Sequence, residues 1–181
     1  MKLLLLASGD GSLAQAVIDA KFEIPALVSD VPTAKVLSRA KSADIPTKVI
    51  EFRNPRSEWD REILDYVNLI SPDLVVCLGF MRILSPEFVS NFKVINSHPS
   101  LLPNFPGAHA VRDALKAGVP STGCTVHWVD SGLDTGEVIS QVEVPILPND
   151  DESSLHERIK IVERKLIVET LERLETLGAR S

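Results

Sequence analysis

The chain has 181 residues, 44% of them hydrophobic and 24% charged, which is the length of one domain with enough apolar material to bury its own core. Its net charge of −6 argues against broad binding to nucleic acid or to an anionic membrane, while leaving room for a local basic pocket. No apolar run approaches the length of a membrane span.

Leu3 to Ala7 is a continuous apolar run, the pattern of a central parallel strand covered on both faces. With Met1 and Lys2 it is too short for a signal peptide, and Ser8-Gly9-Asp10-Gly11-Ser12 follows at once. Ser12 to Ala20 carries Leu13, Ala16, Val17 and Ala20 at helical spacing, with Ser12 as the cap. Ala26 to Val28 reads as a second strand, Thr33 to Ala43 as a helix, and Thr47 to Ile50 as a third strand after Pro46. Ser57 to Ile70 is a clear helix with Ser57 as N-cap and Ile63, Leu64, Val67 and Ile70 as its apolar stripe. Leu74 to Leu78 is another buried strand. Ser85-Pro86-Glu87 starts a helix, with proline at its first position. Val94-Ile95 is a short strand, and His109 to Lys116 a helix ending at Gly118. Gly123 to Val129 and Glu137 to Pro145 are strands around a polar turn. Ser153 to Leu177 is a long amphipathic helix, capped at Ser153-Ser154 behind acidic residues. On it, Lys160, Arg164 and Lys165 alternate with Glu157, Glu163 and Glu169, a mixed-charge face rather than a basic patch. Cys77 and Cys124 lie in apolar runs without metal-ligand spacing and read as buried free thiols of a reducing compartment.

Strands alternating with helices predict an α/β fold, a mostly parallel twisted sheet with helices on both faces and a late antiparallel portion. Ligands of such sheets sit at the carboxyl ends of strands, which selects the loops after Ala7, Leu78 and Ile95. The first, Ser8 to Ser12, is either a phosphate-binding turn or an ordinary tight turn. It lacks the third glycine of a dinucleotide fingerprint, having Ala14 there, and Asp10 must turn its carboxylate away from any anion. The second, Gly79 to Leu84, either lines a pocket for a flat ligand or packs a strand-to-helix turn. The third, Asn96 to Gly107, is stiffened by three prolines. If it begins extended, Asn96 and His98 share a side, where a carboxamide can stabilise an oxyanion and an imidazole can move a proton. Asp134, in the turn Asp130 to Gly136, can orient His98 if the fold joins them, though turn chemistry alone accounts for Asp130 and Gly132.

At these residues the chain resembles the glycinamide ribonucleotide formyltransferases. The resemblance runs over nearly the whole chain. It is strongest in GFMRILSPEFV (Gly79 to Val89), NSHPSLLPNFPGAHA (Asn96 to Ala110) and GCTVHWVDSGLDTGEVI (Gly123 to Ile139). It implies a Rossmann-like formyltransferase fold in a single domain, 1–181, with a phosphate-binding half at about 1–95 and a folate and catalytic half at about 79–181. The implied enzyme is cytoplasmic and acts in de novo purine synthesis. It moves a formyl group from 10-formyltetrahydrofolate, its co-substrate, to the amine of glycinamide ribonucleotide. No metal, nucleic acid or membrane is implied, and a homodimer is compatible. Asn96, His98 and Asp134 match the family's catalytic Asn, His and Asp: the first two would stabilise the oxyanion while Asp134 holds His98 and helps proton movement. Met81, Arg82, Ile83 and Leu84 match positions around the folate, together with Asn96 and Leu133. Gly11, Ser12 and Leu13 match phosphate-binding positions, and Lys160 and Glu163 match positions near the ribonucleotide. His109 and His127 match supporting positions.

Two positions depart from the family pattern. Leu13 stands where Asn is usual, and Asp10 where Asn, Thr or Ser is common, which bears on the strength and identity of phosphate binding. Related readings share the Asn, His and Asp set. Methionyl-tRNA formyltransferases carry a further basic C-terminal domain, and formyltetrahydrofolate hydrolases a further N-terminal one; the expectation here is neither. Sugar-amine formyltransferases usually lack the string Pro106 to His109. A non-catalytic folate- or nucleotide-binding module is the alternative of a different class.

Overall fold

The structure is a computed structural model that describes residues 1–178. Seven strands, β1 (Lys2–Leu6), β2 (Glu23–Ser29), β3 (Thr47–Val49), β4 (Leu74–Cys77), β5 (Val94–His98), β6 (Ser121–Trp128) and β7 (Val138–Pro145), form one sheet in the order β3-β2-β1-β4-β5-β6-β7. Six helices accompany them among the described residues: α1 (Ser12–Asp19), α2 (Lys35–Ser42), α3 (Arg56–Ile70), α4 (Pro86–Asn91), α5 (Ala110–Ala117) and α6 (Glu152–Gly178). The chain divides into two compact units, Met1–Ile95 and one that begins at Asn96.

In the first unit β1 pairs in parallel with β2 and β4, and β2 in parallel with β3. Leu3 to Leu6 and Leu74 to Cys77 are buried throughout, which is why both read as uninterrupted apolar runs. β2 begins three residues earlier than its apolar core suggests. Between the pairs Lys2↔Glu23 and Leu4↔Ala26 it carries one extra residue. Pro25 stands in that bulge, where the missing N–H costs no ladder bond. Trp59, Ile63 and Val67 of α3 enter the core, and Trp59 donates its indole N–H to Ile50 O at 3.0 Å.

Two expected caps are different residues. Gly11, not Ser12, occupies the cap position of α1, and Pro55, not Ser57, that of α3; neither position makes a side-chain cap bond. Proline at that place fixes the extended φ that a cap needs. Ser85 does cap α4, accepting from Phe88 N at 3.2 Å with Pro86 behind it.

In the second unit β6 and β7 pair antiparallel from Ser121↔Pro145 to His127↔Val138. β5 runs to His98, longer than Val94-Ile95 alone. α5 stops at Gly118, whose φ of 65° ends the helix left-handed. α6 is capped by Asp151 rather than by Ser153-Ser154. Asp151 Oδ1 accepts from Ser154 N at 2.7 Å, and Ser154 Oγ accepts from Asp151 N at 3.0 Å, a reciprocal capping box two positions before Ser153. Arg158 grips Asp150 with both terminal nitrogens, at 2.6 and 2.7 Å, and holds that carboxyl well below the usual carboxylate range. Cys77 and Cys124 are both free and buried, and burial pushes each thiol up to about 12.

Candidate functional site

The strand β5 alternates its side chains, so Asn96 and His98 leave on one side and Ser97 on the other. The loop that follows is fastened at several points. Ser100 N donates to His98 O at 3.0 Å, and Ser100 Oγ to Asn104 O at 2.6 Å. Thr125 Oγ1 of β6 donates to Ser100 O at 2.7 Å and accepts from Leu102 N at 3.2 Å. Gln141 Nε2 of β7 reaches both Leu102 O and Thr125 Oγ1. These bonds return the loop toward β5, where His98 Nε2 donates to Phe105 O at 2.9 Å.

Asp134 is the centre of this cluster. It sits at φ 54°, a left-handed conformation that aspartate tolerates better than most side chains. Its Oδ2 accepts from Gly107 N at 2.8 Å and lies 3.5 Å from His98 Nδ1. Its Oδ1 lies 3.5 Å from His127 Nε2 and 3.5 Å from Asn96 Nδ2. His127 Nδ1 donates to Trp128 O at 2.8 Å, which leaves Nε2 to accept from Asn96 Nδ2 at 3.3 Å. His98 and His127 are almost fully buried. Burial lowers the pKa of His98; the Phe105 carbonyl and the Asp134 charge oppose that, and His127 adds to it. For Asp134, burial works upward, but the adjacent His127 ring, the Gly107 N–H and His98 together keep its pKa below the ordinary value. The expected trio of Asn96, His98 and Asp134 is therefore one contiguous constellation. His127 belongs to it as the acceptor for Asn96. His109 stands exposed at the start of α5, and Leu133 is half-exposed beside Asp134.

On the reverse side of β5, Ser97 Oγ donates to Glu163 Oε1 of α6 at 2.6 Å. Glu163 is only 2% exposed, and burial raises its pKa. Lys160, one turn earlier, is paired with Glu157 at 2.8 Å. Of the two helix residues matched to ribonucleotide positions, Lys160 is thus at the surface region and Glu163 in the interior.

In the first unit the loop Ser8–Ser12 leads into α1. Gly11 has φ 75°, and a Cβ there would collide with Val36, so only glycine fits. Asp10 directs its carboxylate to Lys35 Nζ at 3.1 Å, and its carbonyl accepts from Arg39 Nε at 2.7 Å. The acidic residue that is awkward for an anion site is thereby paired with a cation of α2. Leu13 is buried, so at that position the backbone N–H is what the chain can offer a ligand. In the loop after β4, Met81 and Ile83 are exposed and Leu84 is buried. Arg82 turns inward to Asp30, at 2.6 Å, and stacks over Phe52. Asp30 was not among the residues that sequence reasoning selected, and Ser8 entered only as part of the loop Ser8 to Ser12. The loop after β2 also ends at the carboxyl side of a parallel strand, and that topological rule is the signal that points to Asp30.

Among the described residues no group of three or more His, Cys, Asp or Glu side chains is arranged to hold a metal ion. No described helix is long and apolar enough to cross a membrane.

A family profile described as Formyl transferase matches residues 1–171. The chain is 45% identical, over 98% of its length and 86% of the relative's, to a protein of Mycobacterium tuberculosis named phosphoribosylglycinamide formyltransferase. It is 40% identical, over 92% of its length and 83% of the relative's, to the Escherichia coli protein of the same name. The crystal structure of phosphoribosylglycinamide formyltransferase from Streptococcus pneumoniae superposes with a TM-score of 0.91 at 37% identity, covering 96% of this chain and 98% of that one. The chain belongs to the formyl transferase family, and within it to the phosphoribosylglycinamide formyltransferases.

Proposed function

We propose that this protein transfers the formyl group of 10-formyltetrahydrofolate to the amine of glycinamide ribonucleotide, as a step of purine synthesis in the cytoplasm. One observation carries the reading of the site: a half-buried carboxylate, Asp134, lies between Asn96, His98 and His127 and is fixed by the Gly107 N–H. Asn96 Nδ2 stands 3.5 Å from Asp134 Oδ1, too long for a strong bond, so a substrate oxygen beside it would compete on good terms. Both ring nitrogens of His98 face oxygen atoms, Phe105 O and Asp134 Oδ2, an arrangement that supports the imidazolium against the burial that opposes it.

In the reaction the amine nitrogen bonds to the formyl carbon and the bond from that carbon to the folate nitrogen breaks. The amine loses one proton and the folate nitrogen gains one. Asn96 donates to the formyl oxygen while it carries negative charge, and the charge of protonated His98 stabilises the same oxygen. Asp134 holds His98 in orientation and relays the amine proton, directly or through water. Backbone N–H groups at Gly11, Ser12 and Leu13 would receive the phosphate. Lys160 would serve the ribose side, with Glu163, buried against Ser97, supporting its helix from behind; Met81 to Leu84 and Leu133 would serve the folate.

A spectroscopic assay of folate release, with and without glycinamide ribonucleotide, tests this. Release that depends on the ribonucleotide is expected. Release without it indicates a hydrolase, and folate binding with no release indicates a binding module. Leu13 gives one specific reason to include amino-sugar acceptors in the same assay. His98→Ala should lower kcat by about two orders of magnitude or more with folate affinity retained; wild-type turnover in that variant would remove His98 from the mechanism.

A further inference from the structure

Three loops of the first unit, all at carboxyl ends of parallel strands, meet on one buried carboxylate. Asp30 closes β2, and its side chain is 1% exposed. Its Oδ1 accepts from Ser8 Oγ, after β1, at 2.5 Å. Its Oδ2 accepts from Arg82 Nε, after β4, at 2.6 Å. Ser8 Oγ accepts in turn from Met81 N at 2.8 Å, and Ser8 N donates to Gly79 O at 3.1 Å. The Arg82 guanidinium lies 4.4 Å over the Phe52 ring, which meets Trp59 edge-on at 5.5 Å. The hydroxyl of Ser8 is thus used twice, once as donor and once as acceptor, and the Asp30 carboxylate answers both neighbouring loops.

Such a network is not required to join the strands, because β1 and β4 are already paired from Leu3↔Leu74 to Leu6↔Cys77. A buried ion pair is often no better for stability than apolar residues of the same volume. What it fixes is geometry: each loop has a single position in which Ser8, Asp30, Met81 N and Arg82 are all satisfied. We propose that Asp30 is a positioning residue that sets the loop Met81–Leu84 against the loop Ser8–Ser12, making affinity for the folate donor and for the phosphorylated acceptor depend on one carboxylate. This rests on the reading of those two loops given under Proposed function. The chemistry-bearing side chains Asn96, His98 and Asp134 are not part of the network, so loss of Asp30 should change binding rather than turnover.

The test compares wild type with Asp30→Asn, Ser8→Ala and Ser8→Thr. Steady-state kinetics gives kcat and both KM values, calorimetry gives folate Kd, and a thermal melt shows that each variant folds. Ser8→Ala frees Met81 N and removes a donor from Asp30. Both KM values should rise about tenfold, the scale of one charge-assisted hydrogen bond, with kcat within about threefold. Ser8→Thr keeps the hydroxyl and should restore both. Asp30→Asn keeps an oxygen for Ser8 and loses the charge facing Arg82, so the donor KM and the folate Kd should rise more than the acceptor KM. Should Asp30→Asn fail to fold, the Ser8 pair decides alone. Unchanged KM values in folded Ser8→Ala, or a fall in kcat alone, would overturn the proposal. If wild type binds folate without formyl transfer, the assigned reaction fails, while the folate Kd of Ser8→Ala still decides the network.

Discussion

Asp134 makes its position in the left-handed region worthwhile by facing four partners with two oxygens. A left-handed backbone costs a non-glycine residue on the order of 1 kcal/mol, and persists where surrounding contacts over-determine it. Removing its charge should therefore be felt first at His98. Asp134 raises the His98 pKa against the lowering effect of burial. In Asp134→Asn the NMR titration midpoint of His98 should move further below its ordinary value, and turnover should fall at every pH. An unmoved midpoint would mean that Asp134 does not communicate with His98. The folded-state pKa of His98 lies below its unfolded value of about 6.5. Its contribution to stability is thus complete above that pH and is lost as pH falls through the folded value. Glu163 has the opposite sign: burial raises its folded value, so its contribution is complete at low pH and is lost as pH rises through that value.

At the scale of elements, the turn into α1 shows what a glycine signal means. Gly11 combines a φ of 75° with a Cβ position already occupied by Val36. Gly11→Ala should destabilise by about 1–3 kcal/mol through overpacking and backbone strain. Val36→Ala added to it removes Cγ2 but leaves Cβ and Cα in the way, so the double variant should recover little, and a thermal melt of both variants checks this. A single variant as stable as wild type would show that the turn relaxes freely. The central strands were legible in the sequence because Leu3 to Leu6 and Leu74 to Cys77 are buried on both faces and so carry no polar interruption. The start of β2 was not, because Pro25 is a breaker on sequence grounds and is tolerated only through a bulge whose partner strand lies elsewhere in the chain. Caps were misplaced for a related reason. Asp151 and Ser153-Ser154 are all competent caps, and only the backbone path decides that Asp151 does it. In the site, Asn96 and His98 share a strand and their common side follows from alternation. Their meeting with His127 and Asp134 depends on the path of β6 and the following turn, which no spacing encodes. The Ser8, Asp30 and Arg82 contact spans three loops and was invisible for the same reason.

At the scale of the whole molecule, the described chain is two compact units, and they hold different sets of the residues discussed above. The first holds the loops matched to the phosphate and folate, together with the Asp30 network. The second holds Asn96, His98, His127 and Asp134, and the long helix α6. β5 carries the passage between them, giving Val94 and Ile95 to one and Asn96 to His98 to the other. The two buried thiols are divided in the same way, Cys77 in the first unit and Cys124 in the second. Burial pushes each thiol up, which disfavours the reactive thiolate as well as shielding the sulfur. An aromatic disulfide reagent should leave both unmodified in native buffer over minutes and react with both in denaturant; prompt native reaction at either would contradict its burial. Because peptide mapping separates the two adducts, their labelling rates at intermediate denaturant are two independent clocks. The chain therefore carries, without any engineered probe, a built-in report on whether its two halves open together or in turn.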